Sequence, residues 1–579
     1  MTASTTGTNV RILKLSKQKM TLISRALLLM IISICVSDNI IAQSKNPFVF
    51  RNTGKEAGLL PEAGGIYGHG AGWGDVDGNG WVDLYIATFH KAGFKPNKFF
   101  TNKNGKFHFD EQKVLQISSR ATGIVFADLD NDGDLDLYIS SMPHEIDSSY
   151  LIKIEGCKMY RNDGKGIFTD ISDGNGACPL LFGGRSTTVF DYDGDGLLDI
   201  LAGEDPMTVY NGSETRSSRI FHNKGNLQFE DVSRAVGLPE GIPGYGVAAA
   251  DVNNDGWPDF FLAANDGGNI LFLNDKHGKF IEAPGSREFF FWKGSGGENK
   301  NNMVCGVAFG DINRDGLMDI MLGPHFQLPW QTPQSIKLYI NKGIKNGNPK
   351  FEEITEAAGL VPLPMKSPHI EFQDFDNDGW PDIYTSMVKS KDGIPYPIIF
   401  KHRGLTKGKP HFYEDALAVN DFPNEEDKKI NKSDILFKKL IKNTRIIYTA
   451  PGPTADYDND GRLDMFLASW WPEIPSMLLH NETKGGNWLQ VRVHGSRGVN
   501  LMGVGSRIKI YKKGKLGNPS AILGCQDVSI GFGYASGHTD ISHFGLGKET
   551  SVDVEVTLPH GKGKLVKKNV KANQRIVIK

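Results

Sequence analysis

One nine-residue acidic pattern recurs seven times along the chain. Each copy begins and ends with aspartate, carries Asp or Asn at its third and fifth positions, and has glycine at its sixth position. Positions 1, 3, 5 and 9 together hold 25 aspartates and three asparagines. These candidate metal ligands are, copy by copy, Asp75, Asp77, Asn79 and Asp83; Asp128, Asp130, Asp132 and Asp136; Asp191, Asp193, Asp195 and Asp199; Asp251, Asn253, Asp255 and Asp259; Asp311, Asn313, Asp315 and Asp319; Asp374, Asp376, Asp378 and Asp382; Asp456, Asp458, Asp460 and Asp464.

Oxygen ligands at this spacing predict calcium binding. Ca²⁺ takes roughly six to eight oxygens at flexible angles, and side chains at positions 1, 3 and 5 of a tight loop converge on one ion. Glycine at position 6 permits the sharp turn, position 7 offers its backbone carbonyl, and position 9 adds a carboxylate. An EF-hand opens in the same way but closes with a later glutamate and is flanked by helices, whereas strand-like runs flank these loops. We therefore predict up to seven structural Ca²⁺ ions, one in each loop.

Three other interpretations of the loops are less favoured. Metal-free acidic turns would not need a full set of ligands in every copy, and carboxylates this close together repel each other without a cation. Mg²⁺ prefers a rigid octahedron with retained waters. A catalytic calcium is disfavoured because every copy has all of its ligand positions filled.

The runs around the loops predict an all-β fold. A small apolar run precedes each loop and a β-rich run follows it; in most copies a third run ends in an asparagine turn and a fourth completes the repeat. The first aspartates are 53, 63, 60, 60, 63 and 82 residues apart, which fits a four-stranded propeller blade with long loops. We predict a seven-bladed β-propeller over residues 44–486, with a charged, partly helical insertion near 401–445. Phe48–Leu60 resembles the end of a repeat, so we expect it to form the outer strand of the last blade and to close the ring.

The two ends of the chain differ from the repeats. Residues 1–43 combine basic residues with a short apolar run and Ala42, which is typical of a cleaved signal peptide; an uncleaved anchor is the alternative. We expect a secreted, extracellular or periplasmic protein with no membrane span after cleavage. Residues 487–579 alternate apolar and polar residues and predict a small C-terminal β-domain. The net charge of −2 gives no case for nucleic-acid binding.

Four cysteines follow the predicted signal peptide. Cys157 and Cys178 are close enough in sequence to form a disulfide in an oxidising compartment. Cys305 lies in an apolar, strand-like run and is predicted to be a buried free thiol. The fourth is Cys525, and the spacing leaves the pairing open.

The acidic loops resemble those of FG-GAP (VCBS-type) repeats, which build the integrin α-chain propeller. Four C-terminal stretches are similar to the ASPIC/UnbV domain: NWLQVRVHG (Asn487–Gly495), GVGSRIKIY (Gly503–Tyr511), GFGYASGHTDISHFGLG (Gly531–Gly547) and VDVEVTLPHGK (Val552–Lys562). Such repeats followed by this domain are the layout of the cartilage acidic protein family. The resemblance implies a calcium-binding propeller and is weak for activity. The segment Gly514–Val528 departs from the expected polar pattern.

The topology places a candidate ligand site away from the acidic loops. Because each loop joins the first strand of a repeat to the second, all seven are expected on one face of the ring. Propellers bind ligands around the mouth of the central channel, here on the opposite face. His69, Arg185, Tyr245 and His369 lie near the starts of first strands. Further candidates between second and third strands are His90, His144, Glu204, Asp205, Asp266, His325, Trp470 and Trp471.

Two functions fit these observations. The favoured one is an extracellular binding or adhesion protein that takes a glycan, matrix or protein ligand on the face opposite the calcium loops. The alternative is a propeller enzyme, a lyase or dehydratase acting on sugars through His69, Arg185, Tyr245 and His369. No P-loop, Rossmann fingerprint, HExxH motif or nucleophile elbow occurs in the sequence, so no catalytic residue is assigned.

Overall fold

The computed structural model describes residues 47–89, 95–143, 154–180, 182–205, 217–264, 268–292, 303–326, 333–363, 365–391, 393–414 and 446–579. Phe48–Lys579 form one compact unit. The predicted signal peptide lies outside the described residues. Within them the structure is built of strands, with one short helix, α1 (Ser286–Phe289), and two 3-10 turns, Lys113–Leu115 and Pro519–Ala521. The all-β prediction is therefore confirmed.

Seven antiparallel sheets follow one another along the described chain, and each contains one acidic loop between its first and second strands. We number them sheets 1 to 7. Their strands, from first to fourth, are β2 (Gly68–Gly74), β3 (Asp83–Thr88), β4 (Lys98–Lys103) and β5 (Lys106–Asp110); β6 (Ala121–Ala127), β7 (Asp136–Ser141), β8 (Lys158–Asn162) and β9 (Phe168–Asp170); β10 (Gly184–Phe190), β11 (Asp199–Glu204), β12 (Arg219–Asn223) and β13 (Phe229–Asp231); β14 (Gly246–Ala250), β15 (Asp259–Ala263), β16 (Ile270–Asn274) and β17 (Phe280–Glu282); β18 (Met303–Gly310), β19 (Asp319–His325), β20 (Lys337–Lys345) and β21 (Asn348–Glu353); β22 (Ile370–Gln373), β23 (Asp382–Lys391), β24 (Ile394–Thr406) and β25 (Lys409–Glu414); β27 (Thr454–Ala455), β28 (Asp464–Leu467), β29 (Met477–Asn481) and, as its fourth, β1 (Phe50–Asn52).

The first strands pack side by side around the centre of the ring. They are rich in small and apolar residues, and every residue of β2, β6 and β10 is buried. Glycine allows the close approach at β2, because a Cβ on Gly72 would lie 2.8 Å from Ile124 of the neighbouring strand. The apolar composition and the small side chains therefore place these strands in the core, with the acidic loops at one end of each.

The N-terminal strand completes sheet 7, as predicted. β1 pairs antiparallel with β29, with Arg51 opposite His480. The backbone N–H of Thr53 then donates to the carbonyl of Leu478 at 2.8 Å. This pairing covers an edge that sheet 7 would otherwise expose. We interpret the seven sheets as the seven predicted blades.

The predicted insertion near 401–445 is shorter than its sequence suggested. Lys401–Glu414 is not inserted, because it forms the end of β24 and all of β25 in sheet 6. The chain returns as β26 (Ile446–Tyr448), which pairs with β23. Only residues 415–445 remain for the insertion, and they lie outside the described residues. The high charge of this stretch favoured the prediction of an insertion over that of a strand.

The C-terminal region folds into two small sheets, as its alternation predicts. One contains β30, β34 and β37, the other β31, β32, β35 and β36. Their apolar side chains share one core with sheets 2 and 3, so this domain is not a separate unit packed at a distance. The strands are β30 (Asn487–Val493), β31 (Arg507–Lys512), β32 (Ile522–Asp527), β34 (Ile541–Gly547), β35 (Ser551–Leu558), β36 (Gly563–Lys571) and β37 (Gln574–Ile578); a further strand, β33 (Ser536–Gly537), pairs parallel with β2.

Two further sequence predictions concern cysteines and membranes. Cys157, Cys178, Cys305 and Cys525 are all free thiols, so the possible Cys157–Cys178 disulfide is not formed and Cys305 is buried as predicted. In the described part of the chain, no helix has the length and apolar character needed to cross a bilayer.

Candidate functional site

The first aspartate orders each acidic loop. In the first loop, Oδ2 of Asp75 accepts a hydrogen bond from the backbone N–H of Gly80 at 3.0 Å. The φ angle of Gly80 is 89°, a left-handed value that strains any residue with a side chain. The first aspartate accepts the same glycine N–H in the other six loops. The glycine at position 6 is thus required by the turn.

The ninth aspartate anchors each loop to its sheet. Asp83 is buried; its Oδ2 accepts the N–H of Val76 at 3.0 Å, and its Oδ1 accepts the N–H of Asn102 at 2.6 Å. Both bonds recur in all six other sheets. Position 9 therefore fixes the acidic loop against the third strand.

An asparagine in six of the seven third strands also joins neighbouring sheets, and His402 takes its place in sheet 6. Nδ2 of Asn223 donates to the carbonyl of Leu198 in its own sheet at 2.9 Å and to that of Leu129 in the preceding sheet at 2.7 Å. Equivalent bonds to the preceding sheet come from Asn102, Asn162, Asn274, Asn341 and Asn481, and from Nε2 of His402 in sheet 6. Because Asn102 of sheet 1 bonds to Tyr457 of sheet 7, the series runs around the whole ring. The sequence had marked these asparagines only as turn residues.

The electrostatics of the loops suit a bound cation. Burial, reinforced by the neighbouring aspartates, raises the pKa of Asp83 and Asp136 to about 8. Ligand oxygens of Asp75, Asp77 and Asp83 lie within 4.8 Å of one another. Buried oxygens without a hydrogen-bond partner in the described structure include Asp75 Oδ1, Asp376 Oδ1 and Asp458 Oδ1. Crowded carboxylates with unused oxygens fit the oxygen-rich coordination of Ca²⁺.

The loops are not equivalent, because the residue before the third-strand asparagine, or before His402 in sheet 6, differs. In sheet 6 this residue is Lys401, whose ammonium contacts Asp376 and lies 3.0 Å from Asp378 Oδ2. The equivalent residues Arg161, His222 and His480 also lie next to acidic loops. Sheets 1, 4 and 5 carry Thr101, Leu273 and Ile340 there. Lys401 therefore places a positive charge of the protein itself among the ligands of the sixth loop.

The C-terminal domain contacts the acidic-loop face. Arg507 donates to Asn254 Oδ1 at 2.7 Å, and Arg575 donates to Asn459 Oδ1 at 2.7 Å; both asparagines occupy position 4 of a loop. Further bonds join Leu501 to Asn131 and His560 to Gly256. This face of the ring is thus partly covered by the chain's own domain.

One segment of the C-terminal domain, Ile530–Asp540, lies in the centre of the ring; we call it the central segment. It includes β33, which adds to sheet 1. Its hydrogen bonds to first strands join Ala71 to Ala535 at 3.0 Å, Gly533 to Val307 at 2.7 Å, and Thr188 to Ile530 at 2.7 Å. These bonds reach sheets 1, 5 and 3, so the segment fills the space between the first strands.

A charged cluster lies buried at the end of the channel opposite the acidic loops. Arg185 is paired with Asp205, with Nε 2.5 Å from Oδ2. Its guanidinium lies 5.3 Å from the ring centre of Tyr245, and its Nη1 donates to Tyr534 Oη at 3.4 Å. Burial raises the pKa of both tyrosines, which keeps their phenols protonated at neutral pH. The central segment thus supplies Tyr534 to a cluster otherwise made by sheets 3 and 4.

An aromatic group borders this cluster on the side of sheet 1. The ring of His69 lies 4.9 Å from Phe89 and 5.1 Å from Trp470, and its Nδ1 is 3.2 Å from the carbonyl of Ala121. Burial first, and then the charge of Arg185, lowers the pKa of His69 well below its usual value. His69 is therefore neutral and acts through hydrogen bonding.

A second aromatic group borders the mouth near sheets 5 to 7. Tyr448 lies 5.4 Å from Trp471, and the ammonium of Lys366 is 5.8 Å from the Tyr448 ring centre. Burial lowers the pKa of Lys366 to about 8. Burial, Lys366 and Arg185 lower that of His325 well below its usual range. The charges of this mouth therefore act on one another across several sheets.

Two protein-family models match the sequence. A model of FG-GAP-like repeats matches residues 75–139, 208–262 and 251–322, and a model of the ASPIC and UnbV domain matches residues 496–579. The chain contains FG-GAP-like repeats and a C-terminal ASPIC and UnbV domain. The predicted resemblance is thereby confirmed.

Similar proteins extend this finding. The chain is 25% identical to cartilage acidic protein 1 of Homo sapiens over 78% of its own length and 62% of that protein. It is 24% identical to the Mus musculus protein over 84% of its length and 70% of that protein. Integrin alpha pat-2 of Caenorhabditis elegans is 25% identical over 53% of this chain and 25% of that protein. The chain thus spans about 62% to 70% of the length of these two cartilage acidic proteins.

The FG-GAP-like repeats bring together only part of the predicted ligand cluster. Arg185 and Tyr245 are in contact and His69 borders them, and all three are buried; His369 is also fully buried and contacts the central segment instead. Among the loop candidates, Glu204, Asp205, His325, Trp470 and Trp471 are described, while His90, His144 and Asp266 lie outside the described residues. Sequence reasoning missed Lys366 and Tyr534. The motif GFGYASGHTD was a signal for Tyr534, but nothing in it indicated insertion into the ring.

Proposed function

We propose that this protein is a calcium-stabilised extracellular β-propeller that binds an anionic glycan at the mouth opposite its acidic loops. The observation that carries the proposal is the difference between the contacts of the two faces of the ring. The ASPIC and UnbV domain contacts the acidic-loop face through Arg507 and Arg575. The opposite mouth combines the Arg185 cluster with half-buried Lys366 and Trp471.

The side chains of this mouth favour a sugar that carries carboxylate or sulfate groups. Lys366 is half-buried and offers a positive charge to an oxyanion, whereas the guanidinium of Arg185 is buried and already paired with Asp205. Trp470, Trp471 and Tyr448 offer aromatic faces, which provide large contact areas beside a polar group. Neutral His69 and His325 add hydrogen-bonding capacity without charge. A matrix protein with acidic side chains would be the other source of the same anionic groups.

A glycan array tests the proposal. We expect calcium-loaded protein to bind uronate-containing or sulfated glycans in preference to neutral ones, and to release them as salt is raised. Lys366→Met should weaken this binding, whereas Lys224→Met, which removes an exposed lysine at the edge of sheet 3, should not. Equal binding of neutral glycans, or full binding by Lys366→Met, would contradict the proposal.

Catalysis is tested with the same glycans. The raised pKa of Tyr245 and Tyr534 leaves neither phenol as a base near neutral pH, which favours binding over turnover. We expect a bound glycan to be recovered intact by chromatography. Shortened or unsaturated products would favour the lyase or dehydratase alternative instead.

We propose structural Ca²⁺ in the acidic loops, with the sixth loop as an exception. The contacts of Lys401 with Asp376 and Asp378 put an ammonium where the ion would lie. Elemental analysis of desalted protein should therefore find fewer calcium ions than loops, and Lys401→Thr should add one. The same stoichiometry in both proteins would argue against this role of Lys401.

Export from the cytoplasm is part of the proposed function. It is supported by the predicted signal peptide and by the similarity to cartilage acidic protein 1. Fractionation of expressing cells should place the mature protein outside the cytoplasm, with its first residue near 43 by N-terminal sequencing. Recovery of an uncleaved cytoplasmic protein would oppose this assignment.

A further inference from the structure

A buried cluster joins sheet 6 to the central segment. Glu371 lies in the first strand of sheet 6, His369 immediately precedes that strand, and His538 comes from the ASPIC and UnbV domain. All three side chains are at most 5% exposed. Nε2 of His369 lies 2.8 Å and Nε2 of His538 lies 2.9 Å from the same oxygen, Glu371 Oε1. The two imidazole rings are nearly parallel, with planes 16° apart. Two imidazole nitrogens and one carboxylate therefore converge on one point.

The hydrogen bonds of His369 decide which of its nitrogens carries the proton. Nδ1 lies 3.0 Å from the backbone carbonyl of Tyr534, which can only accept, so Nδ1 is a donor; Ser536 Oγ lies 3.1 Å from the same nitrogen. A neutral imidazole has one N–H, so Nε2 then presents a lone pair to Glu371. Two lone pairs facing each other at 2.8 Å repel unless a proton or a metal cation lies between them. Metal-ligating histidines are held in this way, with the other nitrogen donating to a backbone carbonyl.

Further groups orient the carboxylate. Oε2 of Glu371 accepts hydrogen bonds from Thr454 Oγ1 at 2.5 Å and from Gln373 Nε2 at 2.8 Å. These bonds fix the carboxylate so that Oε1 faces the two histidines. Supporting bonds of this type are a regular feature of metal centres.

The surroundings leave room for a fourth ligand. A cavity of about 110 Å³ is bordered by His538, Gln373 and Thr454, which is enough space for water. The hydroxyl of Tyr384, whose ring centre is 6.0 Å from that of His369, is buried and has no hydrogen-bond partner among the described residues. Zinc sites with three protein ligands complete their coordination with a water molecule or a substrate.

We propose that His369, Glu371 and His538 bind one divalent transition-metal ion of the zinc type, separate from the calcium loops. Two imidazoles and a carboxylate suit Zn²⁺, whereas Ca²⁺ prefers oxygen ligands alone. Ligands of a tetrahedral zinc lie about 3.4 Å apart, so the cluster opens by about half an ångström when the ion enters. Because His538 belongs to the C-terminal domain and the other two ligands to the ring, the ion fastens the central segment in place. This inference does not depend on the glycan proposal.

A titration of the full-length protein tests the site. Protein stripped with a chelator and returned to saturating Ca²⁺ is titrated with Co²⁺, whose visible absorption reports nitrogen and oxygen ligands in a tetrahedral site. We expect about one equivalent of Co²⁺ to bind with visible bands, and Zn²⁺ to displace it. Calcium-loaded, folded protein that gains neither cobalt absorption nor zinc overturns the proposal, and the two histidines then share protons with Glu371 instead.

Three variants locate the ion. His538→Gln keeps a hydrogen-bond donor for Glu371 but removes the ligand, so affinity should fall by at least about 100-fold. Thr454→Val removes only a supporting bond and should weaken Zn²⁺ binding by about 10-fold to 100-fold. His543→Gln changes a buried histidine of the C-terminal domain outside the cluster and should bind Zn²⁺ as the unmodified protein does. Unchanged affinity in both His538→Gln and Thr454→Val would overturn the assignment, and if His538→Gln fails to fold, Thr454→Val and the unmodified protein decide it.

Discussion

The two faces of the ring are built on different principles. On the acidic-loop face, the first and ninth aspartates make the same backbone hydrogen bonds in all seven sheets. The opposite mouth has no such repetition: sheet 3 supplies Arg185, sheet 4 supplies Tyr245 and the C-terminal domain supplies Tyr534. Repetition serves closure of the ring, because every sheet must meet its neighbour in the same way. Recognition requires unlike groups around one point.

The two faces also differ in how their charges are balanced. Carboxylates crowd together in the acidic loops, where burial and mutual repulsion oppose their ionisation. At the mouth, Arg185 already has an opposite charge in Asp205. We therefore expect the acidic-loop face to depend on bound cations for stability and the mouth to be stable without them. The following predictions test this difference between the two faces.

Removal of calcium should have the largest effect. An ion that binds only the folded state stabilises it by about 2.7 kcal/mol at a free concentration about 100 times its Kd, and several loops contribute. We expect chelation to lower the melting temperature markedly in calorimetry and added Ca²⁺ to restore it. An unchanged melting temperature, together with no calcium by elemental analysis, would refute a structural role for the ions.

The chelated protein should become less stable as pH rises. The folded-state pKa of Asp83 and Asp136, about 8, lies above the ordinary value of 3.8, so between these values the folded state holds more protons than the unfolded state. Stability present at low pH is then lost on the way to pH 8, by up to about 1.4 kcal/mol per pH unit for each carboxylate. Urea unfolding at about pH 5.5 and about pH 7.5 measures this. Ca²⁺ should abolish the trend, since bound carboxylates are ionised at both values, and a chelated protein more stable at the higher pH would contradict the assignment.

Asn223→Ala should destabilise the ring by about 3 kcal/mol. The substitution removes the bond to Leu129 in sheet 2 and the bond to Leu198 in sheet 3, leaving two buried carbonyls without these partners. Denaturant unfolding measures the loss. The neighbouring Lys224→Ala, at an exposed side chain, should change stability by less than about 0.5 kcal/mol. Equal losses of stability in the two variants would show that the inter-sheet asparagine bonds do not stabilise the ring.

Tyr534→Phe should have the smallest effect on stability. It removes one hydroxyl that Arg185 contacts at 3.4 Å and keeps the ring in place, so we expect a loss of about 1 kcal/mol or less. Binding of anionic glycans should fall in the same variant, since Arg185 loses a group that positions it. A large loss of stability would show that the mouth, too, is needed for closure, and the contrast between the faces would fail.

Much of the acidic-loop face was predictable because its interactions are local. The ligands of one loop lie within nine residues, and the sixth-position glycine follows from a single turn. The strand supplied by Phe50–Asn52 was also recognised, because its sequence resembles the end of other repeats. The charged stretch Lys401–Glu414 was predicted to belong to a surface insertion because of its charge, whereas its backbone pairs within sheet 6.

Local sequence patterns were enough to predict the repeated unit, with its acidic turn and surrounding strands, and also the small β-domain at the C-terminus. These follow from spacing and alternation, which act over a few residues. Tertiary structure alone decided that the ASPIC and UnbV domain covers the acidic-loop face and that Tyr534 and His538 enter the ring. It also placed His369, which was predicted at the mouth, in a buried cluster with His538. Such contacts join residues far apart in the chain, and they depend on the space that seven packed first strands leave at their centre, which no local pattern encodes.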